Sequence, residues 1–107
     1  MNRSDRSRYR ARAEIIKALA HPTRLFIVDE LARGERCVGD LTKAVGSDVS
    51  TVSKHLAVMK QAGIVEDNKR GVQVWYCLRV PCIVDFFGCV ENVLRDRSRR
   101  QREVVGR

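Results

Sequence analysis

Apolar side chains recur every three or four positions along most of this chain, and glycine or proline stands where the rhythm breaks. From about Tyr9 to Leu19, Ala13, Ile16 and Ala20 share one side, with Ile15 and Leu19 close by, predicting a short amphipathic helix. Pro22 lacks the N–H that a helix's first turn leaves unpaired, so a second helix is expected to begin there. Its Leu25, Phe26, Ile27, Val28, Leu31 and Ala32 are apolar nearly all round, as a central, buried helix requires, and Gly34 stops it. A third helix, from Cys37 or Val38 to Val45, carries Val38, Leu41, Ala44 and Val45 inward and closes at Gly46.

Gly46-Ser47-Asp48 leads straight into another periodic segment, with Asp48 placed to cap its free N–H groups and Gly63 to end it. Two short helices across a glycine turn predict a helix-turn-helix unit. Beyond it, Ile64–Glu66 and Val72–Leu78 read as strands around a polar tip, Asp67 to Gly71, with Val72, Val74, Tyr76 and Leu78 on one face. The result is a two-stranded wing. Pro81 is expected to open a last helix reaching Leu94 or further, with Cys82, Phe86, Cys89 and Val93 on one stripe of a wide apolar face suited to a dimer interface. The fold class is therefore mainly α with a β-hairpin, a winged helix-turn-helix of about five helices and a two-stranded wing.

On a wheel of 100° per residue, Val49, Val52, Leu56 and Met59 fall within about 80° of one another and predict the core face of the helix after Asp48. Ser50, Lys54 and Gln61 lie opposite, flanked by Thr51. Such groups near a helix N-terminus suit phosphates and base edges in the major groove. Ser53 and His55 sit toward the edges of the stripe, which favours a packing role for His55. Lys69 and Arg70 at the hairpin tip fit phosphate or minor-groove contacts, although Glu66 and Asp67 lie beside them.

The net charge of +8 changes this picture less than its size suggests. Residues 1–12 hold five arginines against Asp5, and residues 95–107 hold six against Asp96 and Glu103, which leaves the middle of the chain neutral. The expected organisation is a basic N-terminal arm at 1–8, a DNA-binding and dimerisation domain at 9–97, and a basic C-terminal tail at 98–107. No internal repeat, membrane-length apolar run or signal-peptide pattern is present, so a soluble cytoplasmic protein without a membrane partner is expected. No phosphate-binding glycine loop or nucleophile motif accompanies the two histidines, His21 and His55, so an enzyme is not expected.

The segments A-L-A-H-P-T-R-L (18–25), S-T-V-S-K-H-L (50–56) and Q-A-G-I-V (61–65) resemble, in order and spacing, the ArsR/SmtB family of bacterial repressors. The resemblance covers about residues 13–94. It implies a dimer built from the first and last helices, with a recognition helix in each half-site of double-stranded DNA, and repression relieved by a metal, metalloid or thiol-reactive signal. It places Ser50, Thr51, Ser53, Lys54 and His55 against DNA. The arsenite-sensing branch of that family carries C-V-C where this chain has Cys37-Val38-Gly39, so that ligand set does not carry over intact.

The four cysteines, at positions 37, 77, 82 and 89, include no C-x-x-C pair. Buried cysteine behaves as a small hydrophobe, so Cys82 and Cys89 can simply pack, and Cys77 reads as a strand residue. On one helix Cys82 and Cys89 stand roughly 10 Å apart, too far to pair. If they act as ligands, each needs sulfur from elsewhere, such as the dimer mate or Cys37; a sensing site would combine Cys37 with Cys82 and/or Cys89 and take arsenite, a soft metal ion or a reactive sulfur species. No cofactor is obligatory. The leading reading is a repressor released by such a signal; the alternatives are the same DNA-binding dimer without an inducer site, or a winged-helix protein that binds RNA or the ribosome.

Overall fold

A computed structural model of the chain describes residues 1–105. Five helices and three strands follow one another: α1 (Arg3–Leu19), α2 (Pro22–Ala32), β1 (Arg36–Cys37), α3 (Val38–Val45), α4 (Val49–Gln61), β2 (Val65–Arg70), β3 (Gln73–Leu78) and α5 (Ile83–Val105). The architecture is the expected mainly α fold with a wing, and several boundaries move.

The first helix begins at Arg3, ahead of the expected Tyr9. Asn2 Oδ1 accepts from the Asp5 N–H at 2.8 Å while the Asp5 carboxylate accepts from the Asn2 N–H at 3.3 Å. This reciprocal capping satisfies orphan donors of the first turn and starts the helix inside the basic segment. At the other end, α5 starts at Ile83, leaving Cys82 in the preceding turn, and runs through most of the segment read as a tail. Gly106 and Arg107 of that segment lie outside the described residues.

The wing has three strands in the order β1-β3-β2, all antiparallel. Arg36 pairs with Tyr76 and Cys37 with Trp75, a contact too short for sequence alternation to announce. Arg70 faces Gln73, so Gly71 and Val72 form the turn, and Asp67 to Arg70 belong to β2 instead of to a loop. Val72 consequently leaves the apolar strand face and stands 98% exposed at the tip.

Ile27, Val28 and Leu31 of α2, Leu41 of α3, Val52, Leu56 and Met59 of α4, and Ile64 and Val65 form the core, joined by Ala18 and Leu19. Each large side chain so enclosed contributes roughly 1.5–3 kcal/mol of transfer free energy. Three expectations fail here, the first at Ala44 of α3, which is exposed instead of facing inward. Leu25 and Phe26 are exposed on α2, because β3, α3 and α4 cover only its other side within one protomer. Val49, in the first turn of α4, is 57% exposed, since the helix start projects past the core that its later turns reach.

Candidate nucleic-acid interface

Gly46 ends α3 in the left-handed conformation, with φ 78°, a region that a side chain would strain. The chain turns there and re-enters a helix at Asp48, whose Oδ1 accepts from the Thr51 N–H at 2.7 Å. Hydrogen bonds from the Thr51 backbone and hydroxyl hold the Asp48 carboxyl below the usual carboxylate range. With Val52, Leu56 and Met59 fully buried, α4 can roll in neither direction. Ser50, Thr51, Ser53 and Lys54 are all exposed. No ion pair among the described residues occupies Lys54, so its ammonium is available to a phosphate or a base edge.

His55 is placed differently from those four. It is half-buried, its ring centroid lies 4.3 Å from that of His21, and its Nδ1 accepts from Arg24 Nε at 3.1 Å. Arg24 also donates to the Ala18 carbonyl at 3.3 Å, and His21 caps α2 by accepting from the Thr23 N–H. The sequence pattern does not mark Arg24 or His21 as site residues. The H-P-T-R segment signalled a helix start, but a contact across 31 positions leaves no periodic trace. The three side chains tie α4 to the α1–α2 junction and so set the angle at which its exposed face is presented.

Burial, with the positive potential of His21 and Arg24, pushes the His55 imidazolium below its ordinary pKa of 6.5. The unfolded chain therefore takes up a proton at higher pH than the folded one. The stabilisation is complete above about pH 6.5 and is lost as pH falls from there through the folded-state value. Thermal melts at pH 7.5 and 5.5 are expected to show a drop in Tm that is smaller in His55→Gln; an equal drop in both proteins would mean that His55 is not the linked group.

On the wing, Arg70 bonds both carboxylate oxygens of Glu35 at 2.9 Å and lies over the Trp75 ring, 5.1 Å from its centroid. It thus fastens β2 to the α2–β1 loop. Lys69 is exposed and enters no ion pair among the described residues. Lys60 and Asp67 pair at 3.0 Å, and Arg79 lies 3.8 Å from Glu66, so the acids that crowd the wing are matched by cations. The structure also adds Val72, at the extreme tip, to the side chains that any partner of the wing would meet.

The cysteines do not converge. Cys37 is buried at the start of α3, Cys77 is half-buried on β3, and Cys82 and Cys89 are exposed. Cys77 Sγ donates to Glu66 at 3.4 Å, and burial with that carboxylate raises its thiol pKa. Among the described residues no group of three His, Cys, Asp or Glu side chains is assembled to hold a metal ion. The site expected from Cys37, Cys82 and Cys89 is thus not assembled among the described residues of one protomer, Cys37 lying in the core and the other two at the surface.

The sequence profile described as "Bacterial regulatory protein, arsR family" matches residues 21–67, from the cap of α2 into β2. The uncharacterized HTH-type transcriptional regulator Rv0081 of Mycobacterium tuberculosis is 34% identical over 87 residues, covering 80% of this chain and 76% of that protein. The chain belongs to the arsR family of bacterial regulatory proteins. The crystal structure of Rv0081 superposes on this arsR-family fold with a TM-score of 0.75 at 35% identity, covering 86% of this chain and 94% of the other. The homodimeric winged helix-turn-helix DNA-binding domain of Mb0332 from Mycobacterium bovis gives 0.77 at 29% identity, covering 94% and 93%. The biofilm growth-associated repressor of Xylella fastidiosa is 39% identical over 66 residues, which are 62% of this chain and 58% of that one. As an arsR-family member the chain is a DNA-binding transcriptional regulator and not an enzyme. No described helix is long and apolar enough to cross a membrane.

Proposed function

We propose that the protein is a homodimeric repressor that binds a two-fold-related operator, with α4 of each protomer in the major groove. The observation that carries this reading is the division of α4 into a fully buried face and an opposite face of exposed hydroxyl and ammonium groups. Ser50, Thr51 and Lys54 are the proposed readers, with Ser53 at the flank and Lys69 and Val72 reaching the adjoining minor groove or backbone. His55 and Arg70 act through the positions they hold. The dimer follows from apolar side chains left uncovered on α1 and α5, among them Ile16, Phe86, Val93 and Leu94. The homodimeric domain of Mb0332 supports the same assembly. The arginine-rich ends at 1–8 and 98–107 add sequence-independent attraction to phosphates.

Selection of bound duplexes from a random pool is the test. It is expected to return sites with two-fold-related halves about one helical turn apart. Enrichment of single-stranded RNA over any duplex would instead support the RNA-binding alternative.

A repressor without an inducer site agrees best with the scattered cysteines. A thiol or soft-metal signal has one observation in its favour, the exposure of Cys82 and Cys89 beside the apolar face of α5, where sulfur from a second protomer can approach. Adding arsenite, a soft metal ion or persulfide to the operator complex separates the two. Release that is lost on replacing Cys82 and Cys89 by serine would establish the signal, and unchanged affinity would exclude it.

A further inference from the structure

We propose that Tyr9 of each protomer, with its flanking Arg8 and Arg12, inserts into an apolar groove of the other protomer whose rim carries Asp29 and Glu91. The inference rests on the dimer reading above and names the contact that keys it. The groove has a volume of about 330 Å³ and lies between the end of α1, the outer side of α2 and the start of α5. Ile16, Leu25, Phe86 and Val90 supply apolar walls. Asp29 and Glu91 line it too, and neither enters an ion pair among the described residues. In a chain of net charge +8, two unmatched acids beside an apolar hollow select an occupant that is apolar in body and cationic at its edges.

The chain carries such a group. Tyr9 is 44% exposed, and the guanidinium groups of Arg8 and Arg12 lie 5.0 and 5.2 Å from its ring centroid. Arg8 also donates to the Tyr9 hydroxyl at 3.3 Å, and its other neighbour, Asp5, is 3.9 Å away at the exposed surface. The aromatic ring and two cations are thus assembled before any partner arrives, which lowers the ordering cost of docking.

Tyr9 does not fill the groove of its own protomer. It precedes Ile16 by seven residues on one unbroken helix, which sets the two about 10 Å apart along the axis. Of the α1 side chains, those of Ala18 and Leu19 alone are buried, so the arginine-bearing turns project without support. A helix of that length is marginal by itself and gains most from a surface to lie on. A two-fold axis makes the contact twice, knob into groove and groove around knob, continuous with the exposed Val90, Val93 and Leu94 of α5.

Sedimentation of the full chain tests this. Arg8→Glu with Arg12→Glu, and separately Asp29→Lys with Glu91→Lys, are each expected to weaken self-association by at least about tenfold. The four changes combined are expected to restore it, which also shows that the variants fold. Undiminished dimers in both double variants, or a quadruple variant no better than either, would overturn the contact while leaving the dimer standing and the groove to another occupant. A wild-type chain that stays monomeric with and without operator DNA would instead overturn the dimer reading itself. A second readout is geometric: with Cys82 and Cys89 replaced by serine, Tyr9→Cys combined with Leu25→Cys should yield an interchain disulfide between positions 9 and 25 on mild oxidation. Dimers that form no such bond count against the insertion.

Discussion

Lys54→Glu is expected to lower operator affinity by roughly two to four orders of magnitude while leaving the fold intact. A good base or phosphate contact is worth about 1–3 kcal/mol, and a two-fold operator loses it twice. Reversing the charge adds repulsion from phosphate to the lost attraction. The fold is spared because Lys54 is exposed and enters no ion pair among the described residues, on the side of α4 away from Val52, Leu56 and Met59. Arg70→Ala is the informative contrast. Its guanidinium is committed to Glu35 and Trp75, so its loss should loosen the wing more than it weakens DNA binding at matched stability. Fluorescence anisotropy of a labelled operator over a salt series, with circular dichroism on the same samples, measures both. An affinity unchanged in Lys54→Glu would mean that the exposed face of α4 is not the reading surface.

That contrast also marks which parts of the interface were legible in the amino-acid order. Short-range signals carried well. Gly34, Gly46 and Gly63 stop helices and all adopt positive φ; Pro22 opens α2; Asp48 caps α4 through Thr51. These are decided within a turn of chain, so residue type alone reveals them. The capping pair Asn2–Asp5 is equally local, but the arginines around it give the segment the look of an arm.

Contacts made across the fold left no such trace. Arg70 with Glu35 and Arg24 with His55 join residues 35 and 31 positions apart, and each commits a side chain to a partner within the fold that its charge or motif does not announce. The two-residue β1 exists because β3 has a free edge to pair with, a property of the sheet and not of Arg36 and Cys37. The cysteines show the same limit from the other side. Their spacing allows a shared site, and nothing in it announces that Cys37 is buried while Cys82 and Cys89 are exposed.

The wheel that located the recognition helix gave Val49 and Leu56 equal standing on its apolar stripe, and their substitution by alanine is expected to have very different consequences. Leu56 is fully enclosed among core residues, and Leu56→Ala should cost about 2–5 kcal/mol, from lost transfer free energy plus the cavity left behind. For a domain whose total stability is of the order of 5–15 kcal/mol this is a large share. Val49 is 57% exposed, and Val49→Ala should stay within about 0.5 kcal/mol. Urea unfolding at one fixed protein concentration compares them, since dimerisation makes apparent stability depend on concentration. The functional reading follows from the same geometry. Leu56 holds α4 from behind, so Leu56→Ala should depress operator binding through the fraction of folded protein, and excess protein should recover it. Lys54→Glu should resist that rescue, because its folded protein lacks the contact. If Val49→Ala proved as costly as Leu56→Ala, the start of α4 would be covered by something outside the protomer, and the dimer would have to be drawn to include it.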